Sequence, residues 1–61
     1  MTTETIISEL ERNKHYYDLK GVEITTEDAE NVISLIQGGM TMDKAVDEIL
    51  KGIRDCLDTE I

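Results

Sequence analysis

The sequence predicts an all-α fold, a compact three-helix unit with helices at about 3–19, 26–37 and 42–57. Every apolar segment recurs at three- and four-residue spacing, and none alternates over a strand's length. The chain has no proline, and its only aromatics are Tyr16 and Tyr17. The core must therefore come from Ile, Val, Leu, Met and Ala, and nothing breaks the helices except glycine. With 61 residues, the chain makes one domain, 1–61. A chain of this length buries only about 60% of the surface its unfolded form exposes, which leaves nothing for a second core.

In the first helix Ile6, Ile7, Leu10, Tyr17 and the stem of Lys14 share one stripe. Gly21 is expected to close it by taking the left-handed conformation of a helix C-terminus, with Lys20 complementing the negative end of the dipole. The second helix starts at Thr25 or Thr26, whose hydroxyls can accept from exposed backbone N–H groups, and Asp28 completes a capping-box pattern. Ile24 faces Ala29 as a hydrophobic staple, and Ala29, Val32, Ile33, Leu35 and Ile36 then run to a stop at Gly38 and Gly39.

The third helix repeats the device, with Met40 before the Thr41 cap, Ala45 four residues beyond it and Asp43 at the positive dipole end. Met42, Ala45, Val46, Ile49, Leu50, Ile53 and Leu57 form its apolar face, and Asp47, Glu48, Lys51, Arg54 and Asp55 occupy the other side. Gly52 costs about 1 kcal/mol against alanine in such a helix and points to close packing or an approaching partner. Loops of about four to six residues should join neighbours that run antiparallel or cross steeply. Residues 58–61 are expected to fray.

Fourteen acidic residues against six basic give a net charge of −8, which opposes approach to nucleic acid or an anionic membrane and favours a basic or neutral partner. No apolar run reaches the roughly 20 residues a membrane helix needs. A single cysteine, Cys56, permits no internal disulfide and is read as half-buried filler near the end of the third helix. No basic-then-apolar leader opens the chain, so the cytoplasm is the expected location.

A catalytic site needs a nucleophile or acid and a base held in a pocket, and the lone histidine, His15, expected at the surface, cannot supply one. The chain is expected not to be an enzyme. No cofactor or metal is expected either, because the Cys and His ligands of zinc and the acidic loop of calcium are both missing from the sequence. Function should then lie in binding a larger protein.

From Leu19 onward, the run Leu19-Lys20-Gly21-Val22-Glu23, the second helix and Gly38-Gly39-Met40-Thr41-Met42-Asp43-Lys44-Ala45-Val46 resemble the VbhA-type antitoxins of toxin–antitoxin systems. The resemblance covers about two-thirds of the chain, in short motifs that include helix caps. It implies three helices and a Fic-domain toxin as partner. In that family the first helix ends in Ser or Thr, three residues, Glu, then Gly or Asn, and the glutamate enters the toxin's ATP site to pair with an arginine. Here Tyr16 stands at the Ser/Thr position and Lys20 at the glutamate. The same pattern occurs at Thr26-Glu27-Asp28-Ala29-Glu30-Asn31, where the local signals favour a capping threonine followed by surface residues over an inhibitory motif at Thr26, Glu30 and Asn31.

Three readings follow. The first is an inhibitor of the VbhA-like kind that binds a Fic adenylyltransferase, and the second an acidic helical inhibitor, of a phage or mobile-element type, covering the basic groove of a nucleic-acid-handling protein. The third is a self-associating helical module that forms a homo-oligomer. In each reading the expected contact segment is 16–23, with Tyr16, Tyr17, Lys20, Gly21 and Glu23 as partner-binding residues, since tyrosine gives large contact area at low entropy cost.

Overall fold

The computed structural model describes residues 2–58. The chain forms α1 (Thr3–Asn13), a 3₁₀ turn (Lys14–Tyr17), α2 (Thr26–Gln37) and α3 (Met42–Asp58), with no strand among the described residues. The all-α, three-helix reading holds. α3 includes Asp58, and the rest of the segment expected to fray, 59–61, lies outside the described residues.

Each helix starts on a threonine. The Thr2 hydroxyl accepts from the Thr5 N–H at 3.3 Å, and the Thr41 hydroxyl from the Lys44 N–H at 3.3 Å. α2 carries a full capping box: the Thr25 hydroxyl accepts from the Asp28 N–H, and the Asp28 carboxylate accepts from the Thr25 N–H. Thr25 is thus the cap and Thr26 the first helical residue. α2 ends in a Schellman motif, in which the Met40 N–H donates to the Leu35 carbonyl at 3.1 Å and the Gly39 N–H to the Ile36 carbonyl at 3.0 Å. Gly39 takes the positive φ, +108°, that this closure demands.

The first helix departs from expectation. α1 stops at Asn13, the 3₁₀ turn follows, and Asp18 rather than Gly21 is the left-handed residue that closes it, at φ 58°. The connection to α2 consequently runs from 18 to 25, longer than expected. Leu19 supplies the physical reason. It is fully buried with Ile6, Leu10, Ala29, Val32, Ala45 and Leu50, yet a continuous helix at about 100° per residue would turn it roughly 140° away from Ile6. The helix has to break for Leu19 to reach the core.

Ile24 and Ala29 are both buried, as a staple requires. α1 and α2 pack together, as do α2 and α3. Glu9 and Asn13 of α1 border the same hollow as Asp43, Val46 and Asp47 of α3, and beyond the end of α1 Asp18 meets Arg54, so α1 and α3 run in the same sense. α2, joined to α3 by a short loop and packed on both, runs antiparallel to them. Asp47 and Arg54, assigned from sequence to the solvent side of α3, instead flank its apolar stripe and are half-buried.

Two further expectations are corrected at the far end of α3. Cys56 is exposed rather than half-buried. Gly52 is exposed, and a Cβ built there would meet nothing within 4 Å, so close packing within the described residues does not account for it.

Leu50 is fully buried at the centre of α3, so Leu50→Ala should destabilise the fold by roughly 2–5 kcal/mol, seen as a lowered urea midpoint. Gly52→Ala should do the opposite. With open space around it and helical geometry, the substitution should raise stability by about 0.5–1 kcal/mol, read from the same titration.

Candidate functional site

The segment expected to meet a partner is held from behind by residues distant in sequence. Asp18 tolerates the left-handed conformation because its short polar side chain can bond locally. The Leu19 N–H then donates to the Lys14 carbonyl at 3.1 Å. A tight turn follows over Leu19-Lys20-Gly21-Val22, closed by the Val22 N–H on the Leu19 carbonyl at 3.0 Å. With φ negative at its second residue, Lys20, and +93° at its third, Gly21, it has the type II pattern, which favours glycine at that third position. Gly21 is therefore a turn corner and not the end of a helix.

Three side chains lock this turn in place. Leu19 plugs into the core. The Lys14 ammonium donates to the Val22 carbonyl at 2.8 Å and to Glu11 at 2.9 Å, its stem lying on the apolar stripe with its side chain only 18% exposed. The Arg54 guanidinium donates to the Tyr17 and Asp18 carbonyls at 3.3 and 3.4 Å and to the Asp18 carboxylate at 3.1 Å. The Asp18 side chain is 88% exposed, so the ion pair itself contributes little. The larger effect is that Arg54 satisfies carbonyls left open where the helix ends.

Outward and inward residues alternate along the segment. Tyr16 is 73% exposed and its ring lies 4.1 Å from that of exposed His15, centroid to centroid. Lys20, Gly21 and Glu23 are also exposed. Tyr17, Leu19 and Val22 pack on the core. Of the two tyrosines expected to bind a partner, Tyr16 faces solvent, and Tyr17 supports the segment from behind.

The Tyr17 hydroxyl donates to the Asp47 carboxylate, which also pairs with Lys51 at 3.1 Å. This bond, with burial and the Asp47 charge, pushes the Tyr17 phenol up to about 12. The same bond, then Lys51, holds the Asp47 carboxyl below its usual range. Glu9, Asn13, Asp43 and Val46 complete a hollow of about 160 Å³ around the pair. Among the described residues no group of three or more His, Cys, Asp or Glu side chains could hold a metal ion, and no helix is long and apolar enough to cross a membrane.

Thr26, Glu30 and Asn31 are exposed in the first turns of α2, at the start of a regular helix rather than at a helix C-terminus. The residues that sequence reasoning missed are Leu19, Asp47 and Arg54. Asp47 and Arg54 lie seven residues apart on α3, which places both beside Leu50 at the edge of the stripe, and that spacing was the available signal. No protein-family model, curated protein or solved structure matches this chain.

Because the folded state favours the neutral phenol, Tyr17 contributes stability that is complete below the ordinary phenol value of about 10. That contribution is lost as the pH rises toward about 12. Unfolding followed by circular dichroism between those limits should show the parent losing stability more steeply than Tyr17→Phe.

Proposed function

We propose that this chain is a small protein-binding inhibitor, an antitoxin of the VbhA-like kind whose partner is a Fic-domain adenylyltransferase toxin. One observation carries the reading: the segment that the resembled family uses for inhibition is presented here as a bend braced from beneath. Tyr16, Lys20 and Glu23 face solvent, and Leu19, Lys14 and Arg54 hold the backbone beneath them. Such preorganisation lowers the entropy cost of docking, because the bound shape exists before the partner arrives. Under this reading the chain works in the cytoplasm beside its toxin.

The departure at Lys20 changes how inhibition works. A lysine repels the arginine that the family's glutamate would pair with, so the bend acts by occupying the mouth of the nucleotide site. Tyr16 supplies contact area at that edge, a role suited to an amphipathic ring with few rotatable bonds.

The test uses a Fic-domain adenylyltransferase, which this reading expects to be encoded by the neighbouring gene, with adenylylation followed by labelled ATP. The parent should slow the reaction, Tyr16→Ala should relieve that inhibition about tenfold, and Lys20→Glu, which restores a carboxylate at the turn corner, should deepen it. An unchanged rate at saturating parent and Lys20→Glu would overturn the proposal.

A further inference from the structure

Two large apolar side chains are exposed among the described residues, Tyr16 and Leu57 at 73% and 44%, and both flank a single contact. Tyr16 lies two residues before Asp18, and Leu57 three residues after Arg54, across the Asp18–Arg54 pair. Leu57 continues the line of Val46, Leu50 and Ile53 at helical spacing, but unlike them it does not pack on the core. Helix length explains this. The 12 residues of α2 span about 18 Å and the 17 of α3 about 25 Å. The two are joined by only four residues, 38–41, so they start level at that loop and the last turn of α3 overhangs the start of α2.

The charges around this end choose its occupant. Arg12, Lys14, Lys51 and Arg54 are engaged in ion pairs, and Lys20 stands exposed on the bend with none among the described residues, one positive charge beside the three glutamates that follow it. Glu23, Glu27 and Glu30 are exposed and take part in none among the described residues. They lie at four- and three-residue spacing where the connection enters α2, the end that the antiparallel arrangement sets against the end of α3. α2 itself holds no lysine or arginine. A second copy, also carrying −8, would be repelled here, as would nucleic acid or an anionic membrane.

We propose that the end of the molecule formed by the 16–23 bend, the start of α2 and the overhanging turn of α3 is a docking surface for a basic amphipathic helix of a partner protein. Its apolar side lies on Tyr16 and Leu57, and its lysines and arginines face Glu23, Glu27 and Glu30. This rests on the reading of 16–23 as a binding segment and adds the chemistry of what it binds.

A synthetic leucine–lysine helix serves as the probe and a leucine–glutamate helix as the control. Binding is followed by fluorescence anisotropy at two ionic strengths and by NMR shift mapping. The leucine–lysine helix should bind and shift residues of 16–30 and 53–57. Leu57→Ser and Tyr16→Ala, each at an exposed position, should weaken it about tenfold. The Glu27→Gln, Glu30→Gln pair should weaken it mainly at low salt. Absent binding, binding that ignores Leu57→Ser and Tyr16→Ala, or shifts confined to the opposite end, where Ser34, Leu35, Met40 and Lys44 line a shallow groove between α2 and α3, would each overturn the proposal, as would a dimer abolished by Leu57→Ser. Lost peptide docking with retained inhibition of adenylylation sinks this inference alone, and the reverse result sinks the Fic reading alone.

Discussion

Leu19 lies outside every helix and is nonetheless fully buried, and much of the architecture is arranged to bring it there. The core has no aromatic among its fully buried side chains, so each large aliphatic residue matters. Bringing Leu19 inward ends α1 at Asn13 and tightens the next four residues into a 3₁₀ turn. Asp18 is driven into the left-handed region, and a second reversal of direction follows at Gly21. The exposed bend is the outer surface of that inward move. Core packing and the candidate binding surface are thus two sides of one chain path.

How far the fold was legible in the residues depended on whether the signal was local. Thr25 with Asp28, and Gly38-Gly39-Met40, announce the ends of α2 because a cap is made by residues within a few positions of one another. The end of α1 was hidden because Tyr17 stays in phase with Ile6 and Leu10, so periodicity alone carries the helix too far. The contrary sign was Leu19, out of phase and next to a glycine-bearing turn. Its burial is decided by α2 and α3, which no reading of the first twenty residues can contain.

The candidate site was legible as a stretch of chain and not as a constructed object. Tyr16, Lys20, Gly21 and Glu23 are exposed where the sequence suggested. Part of what holds them up comes from thirty or more positions away, in the bonds of Asp47 and Arg54 to Tyr17. Those two looked like ordinary solvated charges on the far side of an amphipathic helix. Polar residues at the border of an apolar stripe can serve either purpose, and only the neighbouring element decides which.

The adjacent tyrosines, one turned out and the other turned in, give the protein a pair of natural optical reporters. With no tryptophan or phenylalanine in the chain, its near-ultraviolet signal belongs to Tyr16 and Tyr17. Tyr17, hydrogen-bonded to a carboxylate in the folded state, changes its surroundings when the chain unfolds. Tyr16, largely open to water beside His15, changes its own when something covers it. Single Tyr→Phe variants can therefore follow folding and association separately, without an attached dye.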